Sequence, residues 1–261
     1  IFFSAPIVEA YGMTEMSGAL TVTDFNDTEN GMAGGVIRTL QMKLLDRKEM
    51  NYHSKTELDG QLSPTGEICC RGLNVFKGYF LDEEKTNEAF DKDGWLKSGD
   101  VGRIVGHNKG LKIIDRVKEL FKLSQGEYIA PSKLENVYVK NKYIIQLCIY
   151  GNSYESYLIA IICPNRVEVK KFLIESGKMK ENEDNVEDFY ADKDLHAEIK
   201  KTFDALAKTN NFNSLEKPLK YLLGKTEFTI QNEMITPTMK LCRNKIENFY
   251  KDEISKLYAQ K

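Results

Sequence analysis

The chain has little of what builds a metal centre, a disulfide frame or a membrane span. Its three histidines, His53, His107 and His196, are scattered along 261 residues. Its five cysteines, Cys69, Cys70, Cys148, Cys163 and Cys242, are odd in number and include no CxxC. Neither set has zinc-ligand spacing, and the pattern reads as reduced, mostly buried thiols of a cytoplasmic protein. No apolar run reaches the roughly 20 residues of a spanning helix; the longest lie at 144–150 and 157–163. An excess of one charge is lacking too, since 37 Lys and Arg stand against 39 Asp and Glu for a net charge of −2. That excludes the broad basic face of a general nucleic-acid binder. The chain opens Ile-Phe-Phe-Ser-Ala-Pro without an initiator Met or a signal-peptide pattern, which reads as a piece of a longer protein.

What is present is an ordinary globular composition, 41% hydrophobic and 29% charged, enough for one or two domains. The pattern predicts an α+β chain in two parts. Residues 1–117 are β-rich, with strands at 36–45 and 66–71, turn signals at 59–60 and 63–66, and a short helix at 83–90. A hairpin joins 102–105 to 112–115 through His-Asn-Lys-Gly at 107–110. Residues 118–261 alternate helices and strands: a helix over 131–141, strands at 143–150 and 157–163, helices at 167–176 and 195–209. A third strand is expected at 221–230 and one closing helix over 243–258. The polar stretch 178–194 reads as a mobile surface loop.

Several short segments carry candidate chemistry. Tyr11-Gly12-Met13-Thr14-Glu15 combines a ring that can stack on a base, a glycine that admits close backbone approach, a hydroxyl for a phosphate and a carboxylate for Mg²⁺. Asp100 follows a glycine turn and suits vicinal ribose hydroxyls, although a turn aspartate bonding its own backbone is the commoner case. Arg116 offers a fixed donor fork, within what is otherwise a boundary charge run. Gly126 makes a turn ahead of the helix at 131. Lys240, on a short loop stiffened by Pro237, can neutralise charge developing on a carboxylate or phosphate. Each signal alone is modest.

Their order and spacing together resemble the C-terminal portion of the adenylate-forming acyl-CoA synthetases, most closely the long-chain fatty acid–CoA ligases. The resemblance rests on Tyr-Gly-Met-Thr-Glu (11–15), Gly-Glu-Ile-Cys-Cys-Arg-Gly (66–72), Asn-Val-Phe-Lys-Gly-Tyr (74–79) and Gly-Trp-Leu-Lys-Ser-Gly-Asp (94–100). It continues with Ile-Ile-Asp-Arg-Val-Lys (113–118), Phe-Lys-Leu-Ser-Gln-Gly-Glu-Tyr-Ile-Ala-Pro (121–131), Leu-Glu-Asn-Val-Tyr (134–138) and Thr-Pro-Thr-Met-Lys (236–240).

The resemblance implies a fold. Residues 1–117 would end a large ATP- and acyl-binding domain, with a barrel-like β-rich part. Residues 118–261 would form a small α+β lid with a roughly three-stranded sheet, hinged at Lys118. It also implies roles: Tyr11 and Gly12 at adenine, Thr14 at the α-phosphate, Glu15 on Mg²⁺, Asp100 and Arg116 on the ribose. Lys240 would support adenylation, and the Gly126 turn would serve thioester formation near the CoA thiol.

The implied reaction converts fatty acid, ATP and CoA to acyl-CoA, AMP and pyrophosphate through an acyl-adenylate. The alternatives are a shorter-chain ligase, a peptide-synthetase adenylation domain, or a catalytically silent homologue used as a binding module. Ser98 stands where many relatives have Thr, and Met239 where many have Gly. The family's phosphate loop and acyl-tunnel wall would lie before Ile1, so the 261 residues alone are expected to be inactive. No nucleic-acid partner is expected. An apolar substrate leaves peripheral contact with an intracellular membrane open.

Overall fold

The structure, a computed structural model, describes residues 7–25, 31–50, 52–58, 60–105 and 110–259. The first six residues, Asp59 of one turn signal and His107 of the hairpin turn lie outside the described residues. The chain divides into two compact units, Ile1–Leu120 and Phe121–Lys261.

The first unit is built on small antiparallel sheets. β1 (Ala10–Met13), β2 (Gly18–Val22) and β3 (Gly35–Val36) form one. β5 (Glu57–Leu58) and β6 (Gln61–Leu62) form a hairpin. The main sheet has the order β4-β7-β8-β9, from β4 (Leu40–Leu45), β7 (Thr65–Gly72), β8 (Leu96–Val105) and β9 (Gly110–Arg116). β7 starts at the Ser63-Pro64-Thr65-Gly66 turn signal and is buried from Thr65 to Cys70. Cys69 and Cys70 point to opposite faces of this strand, and both are buried because both faces are covered. Ile68, Cys70, Leu96 and Leu111 join Met16, Leu20 and Leu40 in the core. α1 (Glu83–Ala89) starts at Asp82, whose carboxylate accepts the Lys85 N–H at 3.0 Å. The single strand expected over 36–45 is two strands in two sheets. The Leu40 N–H donates to the Ile37 carbonyl at 3.2 Å, and this turn carries the chain from one sheet to the other.

The second unit opens with a small hairpin, β10 (Phe121–Lys122) and β11 (Tyr128–Ile129). α2 (Pro131–Tyr138) follows, with its proline in the first turn, where no N–H partner is needed. The central sheet has the order β12-β13-β14: β12 (Ile144–Tyr150) is antiparallel to β13 (Leu158–Pro164), and β14 (Pro218–Leu223) is parallel to it. A parallel pair needs a long crossover, and it carries α3 (Arg166–Glu175) and α4 (Lys193–Thr209). β13 is buried throughout and splits its side chains by parity. Leu158, Ala160 and Ile162 face a core with Leu134 and Tyr138 of α2, Leu173 of α3 and Phe203 of α4. Ile159 and Ile161 face a second core with Ile246 of α5 (Arg243–Phe249) and Ile254 of α6 (Lys251–Ala259).

Three sequence expectations fail here for identifiable reasons. The third strand ends at Leu223 rather than 230, because the Gln146 side chain takes the place of a ladder: its amide donates to the Phe228 carbonyl and accepts the Phe228 N–H, both at 2.8 Å. The closing helix is two, with the buried Tyr250 between them donating its hydroxyl to the Thr226 carbonyl at 3.3 Å. The stretch 178–194 is pinned rather than mobile. Met179, Val186 and Tyr190 are buried in the first of the two cores, and Lys178 pairs with Asp192 and Asp194. The many charges of this stretch hid three apolar anchors.

Candidate active site

β1 and β2 approach so closely that one position must be glycine. A β-carbon on Gly12 would lie 1.9 Å from the Gly18 carbonyl oxygen and 2.7 Å from the Ala19 Cα. The register shifts between Tyr11 and Gly12, so this is also where β1 is bent. Ala10 to Thr14, with Gly18 and Ala19, line an open depression of about 480 Å³. Thr14–Met16 form a 3₁₀ turn that buries Met16 and leaves Thr14 exposed and Glu15 half-buried.

Glu15 is held by the 74–79 segment. Its carbonyl accepts the Phe76 N–H at 2.9 Å, and its carboxylate accepts the Tyr79 hydroxyl at 2.8 Å. The Phe76 and Tyr79 rings meet edge to face at 4.9 Å. Burial, then the bond to Glu15, raises the Tyr79 hydroxyl, which therefore stays a donor. Sequence reasoning gave Tyr79 no role; the 74–79 motif was legible, but its partner lies 64 residues away.

Asp100 and Arg116 are directly opposed on β8 and β9, so sheet register makes them a pair. Arg116 Nε lies 3.3 Å from Asp100 Oδ1. The other carboxylate oxygen accepts the Tyr11 hydroxyl at 2.6 Å. Burial and the neighbouring carboxylate push the Tyr11 hydroxyl well above its ordinary value, so it remains protonated and donates. The Asp100 side chain is 13% exposed and that of Arg116 52%, which leaves a partly wet carboxylate beside the edge strand β9. Ser98 Oγ accepts the Asp100 N–H at 3.1 Å. Residues 11, 98, 100 and 116 are thus brought together. Two supporting residues were missed, Glu67 and Arg47, which pair behind this turn. An acid directly before the apolar Ile68-Cys69-Cys70 of β7 was the available signal.

Lys118 is exposed in the turn 117–119, where the Glu119 and Leu120 N–H groups both donate to the Arg116 carbonyl, at 3.0 and 3.1 Å. Lys240 and Gly126 belong to the second unit. Lys240 ends a closed loop in which Thr236 and Lys240 exchange bonds: the Thr236 N–H donates to the Lys240 carbonyl at 2.8 Å, and the Lys240 N–H to Thr236 Oγ1 at 3.1 Å. Met239 takes φ +62°, the left-handed conformation, and its neighbour Lys240 is exposed. Gly126 sits in the β10–β11 turn, which is tied down by the Gln125 amide donating to the Ser156 carbonyl at 2.6 Å. The cysteines form no disulfide, and burial raises the Cys69 and Cys148 thiols to about 12. Among the described residues no three His, Cys, Asp or Glu side chains group as a metal site, and no helix is long and apolar enough to cross a membrane.

The AMP-binding enzyme family matches residues 1–80. Over 99% of its length the chain is 39% identical to fatty acyl-CoA synthetase A of Dictyostelium discoideum, and over its whole length 38% identical to the peroxisomal long chain acyl-CoA synthetase 7 of Arabidopsis thaliana. It spans 38% and 36% of the length of these curated relatives. The adenylation domain of a carboxylic acid reductase from Segniliparus rugosus, solved with AMP and a co-purified carboxylic acid, superposes with a TM-score of 0.77. That match has 28% identity and covers 97% of this chain and 35% of that one. The chain is thus similar to AMP-binding enzymes over residues 1–80, and to acyl-CoA synthetases over nearly its whole length. Of these two relatives, one is a fatty acyl-CoA synthetase and the other a long chain acyl-CoA synthetase.

Proposed function

We propose that the whole protein is an ATP-dependent, AMP-forming long-chain fatty acid–CoA ligase, and that the present chain supplies its nucleotide-facing edge and its lid. The observation that carries this reading is the convergence of Tyr11 and Arg116 on the Asp100 carboxylate, with Tyr11 lining the Gly12 depression. A carboxylate offers about four acceptor directions, and two protein donors leave room for a pair of vicinal ribose hydroxyls. Tyr11 offers its ring to the base, and Gly12 lets the nucleotide approach the backbone. Thr14 offers a hydroxyl to the α-phosphate.

Glu15 fits Mg²⁺ as a single carboxylate at the rim, since that ion takes one or two carboxylates and completes its shell with phosphate and water. The ion, when bound, offsets charge on the phosphates. In the first half-reaction the fatty-acid carboxylate attacks the α-phosphorus and pyrophosphate leaves. Lys240, exposed on its closed loop, offsets the charge that gathers as the two anions meet. In the second, the CoA thiol attacks the acyl carbon and AMP leaves, with the Gly126 turn beside the thiol. Two half-reactions with different geometry call for a lid with two positions, and Lys118 is the residue that turns. The apolar acid is drawn from a membrane surface by peripheral contact.

The test is the natural full-length protein in two assays, fatty-acid-dependent exchange of pyrophosphate into ATP and CoA-dependent thioester formation. Both activities are expected with long-chain acids and little with acetate. Nucleotide binding without either activity would mark a silent homologue, and transfer to a carrier-protein thiol in place of CoA would mark an adenylation domain.

A further inference from the structure

A bulge is what aims Asp100, and something must hold that bulge. The β7–β8 register passes from Glu67↔Val101 to Cys69↔Lys97, so Ile68 alone faces Ser98, Gly99 and Asp100. Such a bulge takes N–H groups out of the ladder. Gly99 adopts φ +74°, which a residue with a β-carbon rarely takes, and its N–H donates at 3.1 Å to Glu67 Oε1. Glu67 is 3% exposed, and its second oxygen takes the Arg47 guanidinium. A carboxylate this buried is costly unless paired and fully bonded. It does not line the depression beside Tyr11. From the other side, the Gly99 carbonyl accepts the Val117 N–H at 2.7 Å, immediately after Arg116. One residue, Gly99, therefore sits between Glu67 on one strand and the Arg116–Val117 end of another, with Asp100 next in line.

We propose that Glu67, with Arg47 as its counter-ion, is the positioning residue for the Asp100–Arg116 pair, and so sets how well the protein recognises a ribose. This rests on the ribose role given to Asp100 above. Glu67 touches no substrate on this view; it holds the Gly99 N–H, which keeps the Asp100 carboxylate where Tyr11 and Arg116 meet it.

The test uses the natural full-length protein and the pyrophosphate-exchange assay, with ATP and 2′-deoxy-ATP compared at varied concentration. Asp100→Asn is the reference and is expected to abolish most of the preference for ATP. Glu67→Ala is expected to raise KM for ATP about tenfold, the scale of one lost charge-assisted hydrogen bond, and to reduce the preference for ATP by a similar factor. Its kcat at saturating ATP should change far less. Glu67→Gln keeps an acceptor for Gly99 and should recover most of the preference. Because Glu67→Ala strands Arg47, the double variant Glu67→Leu with Arg47→Met, which removes both charges, is measured alongside. It should fold like the parent and still lose the preference. Native discrimination in Glu67→Ala or in the double variant overturns the positioning role while leaving the ribose reading intact. Native discrimination in Asp100→Asn overturns the ribose reading, and the positioning role with it.

Discussion

The two units each place a buried carboxylate–arginine pair behind a candidate site residue, and they do so across different distances. In the first, Glu67 and Arg47 are 20 residues apart, one on β7 and the other just past β4, so the pair stays within one sheet and supports a bulge in the next strand. In the second, Glu135 of α2 and Arg243 at the start of α5 are 108 residues apart and meet through both carboxylate oxygens, at 2.5 and 2.8 Å. Glu135 also accepts the Ile149 N–H of β12 at 2.7 Å. That pair locks a helix, a strand and a second helix together three residues after Lys240. The first arrangement aims an acceptor by register; the second anchors a loop by long-range closure. A register device fails locally, whereas a closure device loosens a whole unit.

The largest effect expected follows from that difference. Arg243→Met leaves Glu135 buried without its partner and should cost about 3–5 kcal/mol, the usual penalty for breaking a buried pair. Urea unfolding of the full-length protein measures it, and Glu135→Leu with Arg243→Met should recover most of the loss. A single variant as stable as the parent would remove the closure role.

Next in size, Lys240→Ala should lower pyrophosphate exchange about 10²–10³-fold, the scale of removing one preorganised electrostatic group. Thioester formation from supplied acyl-adenylate should fall much less, and an equal loss in both would show that the loop is not specific to adenylation. Lys118→Pro should act in the opposite sense. It restricts the dihedral that a turning residue must change, so thioester formation should drop about tenfold while exchange stays within about threefold. Equal loss of both would argue against a hinge there.

The smallest expected effect sharpens the comparison at Met239. Its left-handed backbone carries strain of about 1–2 kcal/mol, and glycine would relieve it at an entropic cost of about 0.5–1 kcal/mol. Met239→Gly should therefore raise stability by about 0.5 kcal/mol in urea unfolding. A destabilised variant would mean that the Met239 side chain contributes contacts of its own.

How much was legible varied with how local the signal was. The strands 66–71, 143–150 and 157–163 follow from turn residues and apolar spacing, and the structure places their ends within a residue; the helix expected over 131–141 begins at Pro131 but already ends at Tyr138. The order of the segments from Tyr11 to Lys240 was enough to indicate the family, and Met239, noted as a departure at a glycine position, proves to sit where φ is positive. The split of 36–45 was hidden because both pieces are apolar and only their sheet partners differ. The end of β14 was hidden because the backbone of Phe228, expected in the strand, bonds the side chain of a glutamine 82 residues away instead. The buried anchors of 178–194 were outvoted by surrounding charge.

Composition, local periodicity and the spacing of short motifs, read by themselves, determined an α+β chain with a β-rich first part and a three-stranded second part, and the residue types of a nucleotide site. Only the tertiary structure decided which of those residues act as a set. Tyr11 reaches Asp100 across 89 residues, Tyr79 reaches Glu15 across 64, and Asp100 meets Arg116 through strand register. Hydrogen bonds of that span are set by how sheets pair and bulge, and no local pattern encodes the register that brings their partners face to face.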